Sequence, residues 1–184
     1  MRRRLVLAGL LVLALQGCGV PDEHAPRPLE SSLVIVSPPR QAAENTAGPV
    51  IERLYLVRGD RLVAVDRRVG STGDVSVLLG HLAAGPTDDE LDEGLTSALT
   101  GTDLVRGVRL VDGTAEVSFR VQEGGRTDDI LAIGQIVCTL DSRTDVDTVR
   151  FLLDGQVVKV PRADGMLTEL PLTTADYRPL IIAR

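Results

Sequence analysis

The sequence predicts an α+β fold, in which three β-hairpins alternate with helices and a mixed or antiparallel sheet packs against helices on one face. Three two-residue turns, each between runs of strand-forming residues, indicate the hairpins: Gly59-Asp60, Asp112-Gly113 and Asp154-Gly155. Between the hairpins, apolar residues recur at helical spacing behind recognisable capping residues. Because hairpins pair neighbouring strands in antiparallel fashion, they favour an antiparallel or mixed sheet over a parallel one.

The first predicted hairpin places Leu54 to Val57 and Leu62 to Val65 on either side of its turn. The tripeptide Arg58-Gly59-Asp60 in this turn also spells a cell-adhesion motif. A tight turn between two strands accounts for the same residues, so a turn is the preferred interpretation.

Two helices are predicted after this hairpin. The first spans Asp74 to Ala84, with Asp74 as its N-cap and Gly85-Pro86 as its stop. The second begins in the acidic stretch Thr87 to Leu99, where Thr87 and Glu90 have capping-box spacing. That stretch is also the best metal-site candidate. A calcium loop starting at Asp88 would need Gly where Glu93 stands and Glu where Leu99 stands, so a helix start is preferred.

The second hairpin joins Val105 to Val111 with Thr114 to Phe119. The third follows a helix within the stretch Thr127 to Pro161, which is the most continuous apolar part of the predicted domain. Its first strand alternates around Val149, Phe151 and Leu153, and Gln156 to Val160 return after the turn. The C-terminal piece Met166 to Arg184 is expected to be irregular, because Pro171 and Pro179 break it.

The helix before the third hairpin has an apolar stripe that predicts contact with the core: Ile130, Ile133, Val137 and Leu140. The polar residues that mark the opposite face are Asp128, Gln135, Thr139 and Ser142. Thr127 is the expected N-cap, with Asp128 and Asp129 in the first turn and Arg143 in the last.

The N-terminus combines three arginines with an eleven-residue apolar run, Leu5 to Leu15. A membrane-spanning helix needs about 20 residues, so this run predicts a signal peptide. Leu15-Gln16-Gly17-Cys18 follows and resembles the lipobox of bacterial lipoproteins, in which the chain is cut before the cysteine and the thiol is lipidated. The alternative is a cysteine that merely follows a signal peptide cut elsewhere. The expected organisation is a signal peptide over 1–17, lipidated Cys18 and a tether over 18–49, and a domain over 50–184.

The tether, Gly19 to Pro49, holds six of the ten prolines and is expected to be extended. One apolar run, Leu33-Val34-Ile35-Val36, interrupts it. These four residues could dock as an edge strand or lie on the domain surface, and docking is favoured because an exposed run of this kind promotes aggregation.

The charge of the chain argues against nucleic acid and anionic lipid headgroups as partners. The formal net charge is −6, and removal of the three arginines of the signal peptide leaves −9 on the mature chain. Nucleic acid and anionic lipid headgroups both require a clustered positive patch, so we expect no nucleic acid and attribute membrane attachment to the lipid on Cys18. Cys138, the second of two cysteines, is expected to be a buried inert thiol.

Candidates for catalysis are few. The chain has two histidines, of which His24 lies in the tether and His81 in a predicted helix, and it lacks the common hydrolase and nucleotide-binding motifs. Paired carboxylates could cleave glycans, but with 26 acidic residues an accidental pair carries no information. Tyr55 and Tyr177 could bind sugars, although a tyrosine in a strand more often packs in the core with its hydroxyl in water. No catalytic, cofactor or metal residue is therefore assigned.

Five groups of residues follow one another in a specific order: Tyr55 to Leu62; Leu82 with Gly85-Pro86-Thr87 and Gly94-Leu95; Gly107-Val108 with Gly113 and Val117; Leu131 with Gln135 to Val137 and Thr139-Leu140; and Val149 to Gly155. Together they resemble the GerMN domain, also called the sporulation and spore germination domain, over roughly Val50 to Leu180. The start Gly17-Cys18-Gly19-Val20-Pro21 resembles actinobacterial lipoproteins that carry one such domain. Cys138 departs from the family pattern, which often has a larger residue there.

This resemblance implies a noncatalytic module of the cell envelope, because relatives are sporulation lipoproteins or parts of lipoproteins paired with two-component sensor kinases. The family provides no catalytic residues to carry over. We therefore expect a lipoprotein at the outer face of the cytoplasmic membrane that binds an envelope protein partner. The alternatives are a peptidoglycan hydrolase that uses unrecognised carboxylates, and a small-ligand-binding lipoprotein.

Overall fold

The computed structural model describes residues 48–120 and 129–182. The predicted signal peptide, Cys18, the tether as far as residue 47, the Leu33 to Val36 run and the Thr127 cap therefore lie outside the described residues. None of the described helices has the length and apolarity that a membrane span requires.

The described chain is an α+β domain, as predicted. Its elements in order are β1 (Val50–Arg58), β2 (Arg61–Val69), α1 (Val75–Ala84), α2 (Asp88–Asp92), β3 (Val105–Val111), β4 (Thr114–Phe119), α3 (Ile130–Leu140), β5 (Thr148–Leu153), β6 (Gln156–Val157), β7 (Val160–Pro161), β8 (Leu167–Thr168) and a 3-10 helix (Thr174–Leu180). The first two hairpins and α1 begin and end within a few residues of their predicted bounds.

The strands form three sheets in the described part of the chain. Strands β1 and β2 make one antiparallel hairpin, β3-β4-β5-β6 form a four-stranded sheet, and β7 pairs with β8. Within the four-stranded sheet β4 and β5 are parallel, because α3 carries the chain back between them, while the other pairs are antiparallel. This sheet is therefore mixed.

The turns explain the hairpin registers. Asp154 and Gly155 have φ values of 49° and 80°, and Asp112 and Gly113 have 46° and 75°, which is the pair of positive φ angles that a type I′ turn requires. In the first hairpin only Gly59 has positive φ, at 64°, as expected for a type II′ turn. Arg58 pairs directly with Arg61, so the adhesion-like tripeptide does form a turn.

Helix α3 lies at the centre of the core. Every residue from Ala132 to Leu140 is buried, so the helix is enclosed on all sides. A Cβ built at Gly134 would lie 2.9 Å from side-chain atoms of both Leu62 and Tyr177, so glycine allows β2 and the 3-10 helix to approach α3 closely. Phe119 and Phe151 stack in the neighbouring sheet with ring centroids 5.0 Å apart.

Both predicted ends of α3 are wrong. Asp129 is the N-cap and not a first-turn residue, since its side chain accepts from the N–H groups of Leu131 and Ala132 at 2.9 and 3.1 Å. The helix ends at Leu140, and Arg143 lies beyond it, where it pairs with Asp145.

Helix α2 is short, and one further expectation needs correction. Helix α2 has the predicted capping box but only five residues, because the chain leaves the helix at Glu93 and Gly94 follows with a φ of 77°. The C-terminal piece is not irregular throughout. It contains β8 and the 3-10 helix, which Thr173 begins with a capping box to Asp176 and which accommodates Pro179 near its end.

Candidate functional site: the groove beside β1

A stripe of polar side chains on and just after α3 covers the free edge of β1. Gln135 Nε2 donates to the Tyr55 carbonyl at 2.9 Å, Thr139 Oγ1 accepts from the Tyr55 N–H at 3.0 Å, and Ser142 Oγ donates to the Arg53 carbonyl at 3.1 Å. Gln135 and Thr139 are fully buried. The expectation that these residues mark the face away from the core is therefore wrong. Their side chains form hydrogen bonds with the backbone N–H and C=O groups at the edge of β1, which would otherwise lack partners.

The same edge is closed further along by backbone pairing. Val57 N–H and C=O bond to Thr96 at 2.8 and 2.7 Å, and Gln135 Oε1 accepts from Ala98 N–H at 2.8 Å in the segment that follows α2. The outward-facing backbone groups of β1 are thus satisfied one after another by Thr96, Gln135, Thr139 and Ser142. This series is what orients α3 and the Thr96 segment on the hairpin.

A groove of about 340 Å³ opens where this series ends, at the start of β1. We call it the β1 groove. Its apolar walls come from the open end of the first hairpin and from α1: Val50, Ile51, Val69 and Leu78. Its polar walls come from β1 and from the loop after α3: Glu52, Arg53, Ser142, Arg143, Thr144 and Asp145.

The charged side chains of the β1 groove are engaged in pairs. Arg143 donates to both carboxylate oxygens of Asp145, at 2.8 and 2.7 Å, and to the Gly73 carbonyl at 2.7 Å. The hydrogen bonds from Arg143 lower the pKa of Asp145, so the carboxylate is charged at neutral pH. Arg53 pairs with Asp66 at 2.7 Å across the hairpin.

His81, the candidate for histidine chemistry, lies on α1 and pairs with Glu52 of β1. Its Nδ1 is 2.8 and 3.1 Å from the two carboxylate oxygens of Glu52. The His81 side chain is 40% exposed and that of Glu52 only 10%. The pair holds α1 against β1, and His81 lies in a helix as predicted.

A buried ion pair, which sequence spacing did not reveal, joins β2 to α2. Arg67 of β2 contacts both carboxylate oxygens of Glu90, at 2.9 and 2.6 Å, and donates to the Gly85 carbonyl at 2.9 Å. Burial disfavours the charged carboxylate, but the hydrogen bonds and charge of Arg67 and the Thr87 N–H outweigh it and lower the pKa of Glu90. The two residues are 23 positions apart in sequence, so a pattern search could not pair them.

The acidic run at α2 begins a helix, as predicted. Thr87 and Glu90 form the full capping box. Throughout residues 48–120 and 129–182, no three His, Cys, Asp or Glu side chains come together in a way that could hold a metal ion.

Cys138 and the two tyrosines occupy structural positions. Cys138 is fully buried, and burial raises its pKa to about 12, so it remains a protonated thiol. The Tyr177 hydroxyl, also buried, donates to the Pro161 carbonyl, and burial raises its pKa. Tyr55 packs at the edge of the core on β1. Cys18 lies outside the described residues.

Comparisons with known proteins agree with the resemblance seen in the sequence. The model of a family described as Germane, sporulation and spore germination, matches residues 45–159. The solved structure of the tandem GerMN domains of the sporulation protein GerM from Bacillus subtilis is 23% identical, with a TM-score of 0.46, over 58% of this chain and 39% of that one. The structure of the first GerMN domain of the same protein is 20% identical, with a TM-score of 0.45, over 59% and 86%. The chain thus spans well under half of the tandem-domain structure, and a search of curated proteins found no match.

Proposed function

Because the chain belongs to the sporulation and spore germination family, we propose that it is a membrane-anchored extracytoplasmic lipoprotein whose GerMN domain is a noncatalytic binding or scaffold module of the cell envelope. The proposal has two parts, which are anchoring by a lipid on Cys18 and binding of an envelope protein partner. Each part has its own support and its own test.

The anchoring proposal is supported by the order of residues at the N-terminus. Three arginines, an eleven-residue apolar run and Gly17-Cys18 follow directly upon one another. A net charge of −9 on the mature chain would repel an anionic membrane, so attachment would depend on acyl chains. The domain would then stand at the outer face of the cytoplasmic membrane on a tether of about 30 residues.

The binding proposal is supported most by the state of the charged side chains in the β1 groove. Arg143 with Asp145, Arg53 with Asp66, and Glu52 with His81 are each already paired. Such pairs provide shape and polarity for recognition, which supports a binding module.

A small ligand is the second candidate, because one observation favours it. The volume of the β1 groove, about 340 Å³, lies at the lower end of the range for small-molecule sites, which is roughly 300–1,000 Å³. Its mixed lining of apolar and charged residues would suit a small polar molecule better than a lipid.

Membrane fractionation tests the anchor. The chain with Cys18→Ala is expected in the soluble fraction, whereas the wild type and the control Cys138→Ala are expected in the membrane fraction. A Cys18→Ala chain that still requires detergent for release would contradict the lipoprotein proposal.

Peptidoglycan digestion tests the noncatalytic role. The Cys18→Ala chain is expected to release no soluble fragments from purified peptidoglycan. If fragments appear, and Glu52→Gln or Asp145→Asn abolishes their release without unfolding the domain, then the hydrolase alternative replaces the binding proposal.

A further inference from the structure

The backbone edge of β1 is incomplete at the start of the strand. Every second residue of β1 directs its N–H and C=O groups away from β2, and the hydrogen bonds of Val57 and Tyr55 to the elements that cover this edge show which residues these are. Arg53, Ile51 and Pro49 continue the series towards the N-terminus. The Arg53 C=O accepts from a side-chain hydroxyl of the loop after α3. Within residues 48–120 and 129–182, however, the Arg53 N–H, both backbone groups of Ile51 and the Pro49 C=O have no hydrogen-bond partner.

The open backbone groups form a self-complementary series. In chain order they are an acceptor on Pro49, a donor and an acceptor on Ile51, and a donor on Arg53. Proline has no N–H, and the Arg53 C=O is already bonded to Ser142, so the series is symmetric about Ile51. If two copies of β1 lie antiparallel with Ile51 opposite Ile51, these two residues exchange both bonds, and the Arg53 N–H of each copy reaches the Pro49 C=O of the other. No donor or acceptor of the open edge is then left over.

We propose that this edge is a self-association site, at which two copies of the chain pair antiparallel through β1 around a twofold axis at Ile51. The strands then run as one sheet in the order β2-β1-β1-β2. A strand with ordinary residues fits less well, because it directs a C=O at Pro49, which has no N–H, and an N–H at the Arg53 C=O, which is already bonded. A second copy, which presents the same patch in the opposite direction, is therefore the occupant that the donors and acceptors favour.

The side chains around Ile51 agree with this pairing. Ile51 is 60% exposed on the face of the hairpin that is turned away from the core, and in the pair each Ile51 covers the other. Val50 to Arg53 line the β1 groove, so this part of the edge faces open space. The charge of Arg53 is compensated within each copy by Asp66. Arg68, the cross-strand neighbour of Ile51, lies one strand further out, so the two copies of Arg68 are about 14 Å apart, beyond the screening length at physiological salt.

The pairing goes beyond the proposed function. It needs neither a lipid on Cys18 nor an envelope protein partner, so its failure would leave both parts of that proposal untouched. Because few backbone groups take part, we expect the association to be weak in free solution. Copies held close together, as on one membrane surface, would pair more readily because their effective concentration is higher.

Sedimentation velocity of the Cys18→Ala chain, from micromolar to millimolar concentration, tests whether the pair forms. We expect a monomer–dimer equilibrium whose dissociation constant rises at least about tenfold in Ile51→Lys, because two like charges then lie opposite each other in the strand pair. The matched control is Leu170→Lys, which adds the same charge at a side chain that is 75% exposed and should leave the dissociation constant unchanged. Circular dichroism spectra identical to that of the parent show that both variants fold.

Disulfide formation tests the register. The two Cα atoms of a hydrogen-bonded antiparallel pair are about 5.5 Å apart, a distance that a disulfide can bridge. The Ile51→Cys variant of the Cys18→Ala chain should therefore form a covalent dimer on mild oxidation. In Arg53→Cys the two introduced thiols lie roughly 14 Å apart along the paired strands and should not cross-link. Cys138 is fully buried and does not compete.

Three results would overturn the proposal. The first is a Cys18→Ala chain that remains monomeric at millimolar concentration. The second is a dimer with the same dissociation constant in Ile51→Lys as in the parent, which would place the interface elsewhere on the surface. The third is a dimer that cross-links through Arg53→Cys and not through Ile51→Cys, which would exclude a twofold axis at Ile51.

Discussion

Substitution of Glu90 by Gln should destabilise the domain by about 3–5 kcal/mol. The side chains of Arg67 and Glu90 are only 6% and 10% exposed, so loss of the carboxylate charge leaves the guanidinium buried without a counter-charge. Arg67 has no other carboxylate to pair with among its described hydrogen-bond partners. Its remaining hydrogen bond is to the Gly85 carbonyl, and its Nη1 is buried without a partner among the described residues. Gln is close to Glu in size, so the loss measures charge and not packing.

Urea denaturation followed by far-UV circular dichroism measures this loss, since the chain has no tryptophan to report by fluorescence. The control is the double variant Arg67→Met/Glu90→Leu, which removes both charges and retains apolar volume. It should lie much closer to the wild type than Glu90→Gln does, because a buried ion pair and an apolar pair of similar size are often equally stable. A loss below about 1 kcal/mol for Glu90→Gln would refute the reasoning.

The same pair predicts a pH dependence with a definite sign. The pKa of Glu90 is lowered in the folded state, so its contribution to stability is fully present above its unfolded pKa of about 4.3 and is lost as the pH falls through the folded pKa. The stability difference between the wild type and Glu90→Gln should therefore be constant from pH 6 to 8 and shrink below about pH 4. A difference that grows on acidification would contradict the assignment.

Three further predictions follow from single sites. Gln135→Leu should lower the free energy of unfolding, measured by urea denaturation, by about 2–4 kcal/mol, because it leaves the Tyr55 carbonyl and the Ala98 N–H buried without partners. An unchanged free energy of unfolding would mean that water replaces the amide. Gly155→Val should lower the free energy of unfolding by more than about 1 kcal/mol, because Gly155 has a φ of 80°. The control is Gly70→Val, at an open position without positive φ, which should change the free energy of unfolding by less than about 0.5 kcal/mol. Cys138 in the Cys18→Ala chain should not react with Ellman's reagent between pH 7 and 9, since burial raises its pKa to about 12. It should react fully in urea. Reaction in the native protein would contradict its burial.

The hairpins were predictable because their signals are local. A two-residue turn that requires positive φ, such as Asp154-Gly155, fixes the register of both strands that flank it. The capping box of Thr87 and Glu90 is local in the same way. Neither signal reports on length, so the sequence did not reveal that α2 has only five residues.

The polar contacts along the edge of β1, and the groove at its start, were not predictable because they depend on pairings across the fold. Gln135 reaches a strand 80 residues earlier in the chain, and a periodicity analysis assigns any polar residue to the face away from the core. One signal was available. The helix from Ile130 to Leu140 is apolar almost all round, and a polar side chain in such a helix must be satisfied inside the protein. The Arg67–Glu90 pair had no comparable signal.

We propose that the protein functions at the outer face of the membrane, held by a lipid on Cys18. Mass spectrometry of the mature protein, isolated from the membranes of its own cells and digested, tests this most directly. We expect an N-terminal peptide that begins at Cys18 and carries the added mass of acyl chains. A mature chain that begins at another residue, or a peptide with an unmodified Cys18, would contradict it.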